Sequence, residues 1–102
     1  MTGQFNPMAV AVLQLQIHLP YAESLKDRRM VVRSLKDRLR RRFNVSVAEL
    51  DGGSQWQWAV VGMVAISSDR VYLQGLLERA GDEALAVLRG QEVDLGEIEF
   101  LD

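Results

Sequence analysis

The chain has 102 residues, with 12 Lys+Arg against 14 Asp+Glu, one His and no Cys. That length supports one domain, and a chain 25% charged and 48% hydrophobic is not expected to be disordered throughout. Without cysteine there is no disulfide framework, thiolate metal site or cysteine nucleophile, and one histidine cannot supply paired imidazole ligands. The net charge of −2 hides an uneven distribution: residues 26–42 hold nine bases and two acids, whereas the remainder holds three bases and twelve acids.

Residues 1–7 lack the basic start of a signal peptide and read as an N-terminal extension to one domain over 8–102. Residues 8–19, MAVAVLQLQIHL, alternate with period two. Leu13, Leu15, Ile17 and Leu19 share one face, and Gln14, Gln16 and His18 the other, so a strand with one core face is expected, ended by Pro20. The glutamines also interrupt the apolar run well short of the ~20 residues that span a bilayer, so a soluble cytoplasmic protein without membrane contact is expected.

Ser24-Leu25-Lys26-Asp27 resembles a capping box, and Leu25, Val32, Leu35, Leu39 and Phe43 then fall in one stripe. This predicts a helix over about 24–42. Residues 44–51 suit a second strand, followed by a Gly52-Gly53-Ser54 turn. Trp56 to Ile66 is almost wholly apolar and reads as a central strand. Ser68 or Asp69 caps a second helix reaching about Leu88, with Gly90 placed to end it and Gly75 and Gly81 inviting close packing on a sheet. Over Glu92–Phe100 the alternation slips at Gly96, which predicts a bulge in the last strand.

The order β-α-β-β-α-β with right-handed crossovers predicts an α+β ferredoxin-like sandwich, a four-stranded antiparallel sheet with both helices on one face. The other face then lacks a cover, although the central strand is apolar on both sides. Trp56, Trp58, Val61 and Met63 are the candidates for a dimer or ligand face there, and a homodimer is expected. The two tryptophans share strand parity and would stack RNA bases if they face outward. Core or dimer packing is the competing account of them.

On a helical wheel Lys26, Arg29, Arg33, Lys36 and Arg40 fall within about 80° of one another, with Arg41 adding charge at the helix C-terminus. These six are the candidate RNA-binding residues, suited to phosphate contact rather than to reading bases. The alternative is a solvated face, or pairing with Glu92, Asp94, Glu97 and Glu99 of the last strand. Glu49 and Asp51 end the second strand, and His18 with Glu49 is the sole acid–base pair on offer, without a nucleophile beside it. No phosphate-binding glycine loop, HExxH or GxSxG occurs. Catalysis, a metal and a cofactor are therefore not expected.

The blocks His18-Leu19-Pro20, Ser24-Leu25-Lys26-Asp27-Arg28-Arg29 and Arg42-Phe43-Asn44-Val45-Ser46-Val47-Ala48-Glu49 resemble the YlxP-like bacterial proteins, a domain family of unknown function. Trp56-Gln57, Gly62 and Ser67-Ser68-Asp69 extend the resemblance, which spans about residues 8–100. Trp58 stands where the family pattern carries a basic residue. The resemblance implies a small cytoplasmic protein of ferredoxin-like fold. It also implies a gene neighbourhood shared with a translation initiation factor and a ribosome-binding factor. From this and the basic helix, ribosomal RNA or the small ribosomal subunit is the expected partner. The rival expectation is a homodimeric protein-interaction or effector-binding module using the open sheet face, with no nucleic acid.

Overall fold

The computed structural model describes residues 6–50 and 55–101. Residues 1–5 of the expected extension, Asp51 and the Gly52-Gly53-Ser54 turn lie outside the described residues. The elements are β1 (Ala9–His18), α1 (Leu25–Arg42), β2 (Ser46–Glu49), β3 (Trp58–Ser67), α2 (Arg70–Val87), β4 (Glu92–Leu95) and β5 (Glu99–Phe100). All strand pairs are antiparallel, in the order β2-β3-β1-β4, with β5 also pairing β1. This is the βαββαβ sandwich that the element order predicts.

The period-two alternation sets the layers. Ala11, Leu13, Leu15 and Ile17 of β1 are buried together with Ala59, Val61, Met63 and Ala65 of β3 and Val47 of β2. They meet Val32, Leu35 and Leu39 of α1 and Leu73, Leu76, Leu77, Ala80 and Ala84 of α2 in one core. The alternate strand residues face the side that neither helix covers.

The helix ends follow their local chemistry. Ser24 caps α1 by accepting from the Asp27 N–H at 3.1 Å, and Asp27 reaches back to the Glu23 N–H at 2.9 Å. Asp69 caps α2 by accepting from the Tyr72 N–H at 3.1 Å, and Gly90 takes the positive φ of 94° that follows its end. Gly81 lets α2 approach the sheet closely, since a Cβ there would stand 3.2 Å from Leu95 Cδ2 and 3.3 Å from Leu13 Cδ2.

The slip at Gly96 is an interruption of the edge strand. From Leu15 to Val12 on β1 the partner chain runs from Leu95 to Glu99, four steps against three, so one extra residue is accommodated. The Gly96 N–H donates to the Gln14 carbonyl at 2.9 Å across this break. The bulge divides the expected last strand into β4 and β5 and restores Phe100 to the core side opposite Ala11. Two expected strands also shift: β2 is shorter than 44–51, and β3 starts at Trp58 rather than Trp56.

Candidate functional site: the outer face of the first helix

The apolar stripe of α1 turns inward, which leaves its opposite side in water. At the first turn the stripe is completed by an arginine. Arg28 lies four residues before Val32 and seven before Leu35, and it is only 2% exposed. Its Nε donates to the Trp58 carbonyl at 2.7 Å, and its guanidinium pairs with the Glu49 carboxylate. A buried cation survives because both its charge and its donors are answered. Arg28 thus joins α1 to β2 and β3. Its stripe position, i with respect to i+4 and i+7, is the signal that charge counting overlooked.

Three more arginines of the basic segment are occupied within the fold. Arg38 Nη1 and Arg42 Nη1 both donate to Glu83 Oε2 of α2, at 2.9 and 3.0 Å. The Arg38 hydrogen bond is the main influence holding the Glu83 carboxyl below its usual range; partial desolvation opposes it, and Arg42 adds to it. Arg40 Nη2 donates to the Val47 carbonyl at 2.9 Å, tying α1 to β2. Of the six candidate RNA-binding residues, Arg40 is therefore partly engaged. Among the described residues the side chains of Lys26, Arg29, Arg33, Lys36 and Arg41 have no hydrogen bond or ion pair. Lys26 to Arg41 covers fifteen helical steps, ~22 Å along the axis.

The last-strand carboxylates offered as partners of this row stand elsewhere. Glu92, Asp94 and Glu99 are register partners of His18, Gln16 and Val12, the uncovered face of β1. No ion pair joins them to α1 among the described residues, which corrects that intramolecular pairing expectation. Glu92, Asp94 and Glu99 thus lie on the sheet face opposite the one that carries α1.

The candidates for the open face are redistributed. Val61 and Met63 belong to the core under the helices, so their assignment to an outward face is corrected; Val60, Val64 and Ile66 stand there instead. Trp58 does face outward, with its ring stacked on His18 at a centroid distance of 4.4 Å and an interplanar angle of 17°. Trp56 lies in the turn before β3 and lines a hollow with Gln55, Gln57 and Trp58. His18 Nδ1 bonds Glu92 Oε2 at 2.6 Å, while Glu49 is held by Arg28, so the His18–Glu49 pair is not brought together.

Residues 10–96 match the model of a family described as a protein of unknown function, DUF503. An uncharacterized protein YlxP of Bacillus subtilis (strain 168) is 38% identical over 58 residues, which span 57% of this chain and 63% of that relative. Among solved structures, the intact alpha subunit of aIF2 from Pyrococcus abyssi aligns at a TM-score of 0.58 and 19% identity, covering 91% of this chain and 35% of that one. A de novo designed protein, Foldit4, aligns at a TM-score of 0.55 and 16% identity over 93% of this chain and 97% of that one. At such identities the likeness extends to the fold alone. Among the described residues no helix is long and apolar enough to cross a membrane.

Proposed function

This chain belongs to the DUF503 family of proteins of unknown function, and we propose that it is a non-enzymatic RNA- or ribosome-associated factor. In this reading α1 lies along a phosphate backbone of ribosomal RNA, within translation or small-subunit maturation in the cytoplasm. One observation carries the reading. The fold binds Arg28, Arg38, Arg40 and Arg42 into its own contacts, yet leaves Lys26, Arg29, Arg33, Lys36 and Arg41 unanswered along one helix.

A helix presenting unpaired cations suits phosphate recognition, which supplies affinity and orientation without base readout. The engaged arginines position α1 against the body. The carboxylates at the opposite sheet face, Asp94, Glu97 and Glu99, repel polyanions from that side, which favours approach by way of α1.

The test is binding to single-stranded ribosomal RNA fragments over a range of salt. If each of the five residues neutralises one phosphate, log K falls with log[salt] at a slope of about −3.5, at ~0.7 per contact. Arg33→Glu with Lys36→Glu removes two contacts and brings the slope to about −2, with weaker binding throughout. A double variant that folds normally and binds with unchanged affinity and slope overturns the proposal.

A further inference from the structure

The sheet face opposite the helices carries its own chemistry, in two halves that meet along β1. Toward β2 and β3, a shallow groove of about 210 Å³ is lined by Val12, Ala48, Leu50, Gly62 and Val64. Its floor is Gly62, where a Cβ would come within 2.7 Å of Leu50 Cδ1, so the groove exists because that side chain is missing. Toward β4 and β5, a second hollow of about 300 Å³ is lined by Gln14, Gln16, Asp94, Glu97 and Glu99. Val12 and Gln14 line both, so the two adjoin. Neither hollow has a lysine or arginine in its lining.

We propose that this face docks a cationic segment of another protein. Its apolar side chains seat against Val12, Leu50, Val64 and Ile66, and its Lys or Arg residues pair with Asp94, Glu97 and Glu99. Two arguments select that occupant. Carboxylates without cations repel nucleic acid and attract a basic chain, so charge excludes RNA from this side. Charge also argues against a second copy. A second copy paired through this same patch would set the carboxylate half against carboxylates or against apolar side chains, and both pairings are unfavourable. Leu50, Trp58, Val64 and Ile66 are 50, 46, 37 and 58% exposed. A segment with alternating apolar and basic residues matches both halves at once.

The inference stands on the sheet face and not on the RNA-binding reading of α1, so the two can fail separately. The probe is a labelled eight-residue peptide of alternating Lys and Leu, followed by fluorescence anisotropy with the full chain. Peptides alternating Glu with Leu, and Lys with Ser, should bind at least tenfold more weakly. Glu97→Lys with Glu99→Lys, and separately Val64→Lys, should each weaken the Lys–Leu peptide at least tenfold without weakening RNA binding. The α1 variant Arg33→Glu with Lys36→Glu should leave peptide binding intact. Several results would overturn the proposal: equal binding of the Glu–Leu peptide, indifference to both sheet-face variants, or displacement of the peptide by an RNA oligonucleotide. Sedimentation as a dimer that Val64→Lys dissociates would overturn it too, assigning the face to a second copy.

Discussion

Replacing Arg28 by alanine tests whether the segment's buried base holds the fold together rather than contacting a ligand. The substitution removes the donor to the Trp58 carbonyl and the partner of Glu49 at one stroke. Breaking a fully buried ion pair costs about 3–5 kcal/mol. Here the Glu49 side chain is 26% exposed and keeps some hydration, so a loss of about 2–4 kcal/mol is expected. The reverse change, Glu49→Gln, leaves a cation that is 2% exposed without its counter-charge and should cost a similar amount. Replacing both at once, Arg28→Met with Glu49→Leu, should recover most of the loss, because a packed apolar pair of similar volume needs no desolvation. Urea denaturation followed by circular dichroism gives the three free energies, and the single variants Arg28→Met and Glu49→Leu complete the double-mutant cycle that isolates the coupling. A cost below about 0.5 kcal/mol for Arg28→Ala, or a double variant no better than the singles, would refute the assignment of Arg28 as an internal cross-brace.

Two further outcomes follow from the helices. The Glu83 carboxyl titrates below its usual range because Arg38, and then Arg42, favour its charged form. A depressed folded-state pKa contributes stability above the unfolded value, and that contribution is lost as pH falls through the folded one. Wild type should therefore lose stability on acidification below the ordinary glutamate range more steeply than Glu83→Gln; parallel acid titrations of thermal midpoint would count against the fork. On α2, Gly75→Ala meets only the far end of Arg79 and should stabilise by up to ~1 kcal/mol. Gly81→Val crowds Leu13 and Leu95 and should cost about 1–3 kcal/mol. Equal effects at the two sites would contradict the close packing at Gly81.

Much of this architecture was legible because local signals agreed. Gln14, Gln16 and His18 mark the wet side of β1, and Ser24 and Asp69 mark where the helices start. The parity slip at Gly96 announces the divided edge strand. The facing of β3 was not legible, because both of its parities are apolar and no polar residue marks the outer side. Only its register with β1, Gln14 opposite Gly62 and Gln16 opposite Val60, settles that Val61 and Met63 point inward. The basic helix misled in another way. Charge alone does not distinguish Arg28 in the core stripe from Arg29 in water, and the Glu83 fork joins residues more than forty positions apart. The exposed row is what remains after those long-range partners are subtracted.

The central place of β1 also has a consequence in time. This strand is made before both of its neighbours: β3 starts 40 residues after it ends and β4 follows later still, with His18 and its partner Glu92 74 positions apart. At about 5–20 residues per second, completing that second flank takes ~4–15 s after His18 is added. Until then β1 presents an unpaired hydrogen-bonding edge beside an apolar surface. Such dominance of distant pairings slows folding relative to a helical bundle of equal size. The nascent chain is most vulnerable to misassembly in that interval, and the short β4 and β5, divided at Gly96, are the pieces that end it.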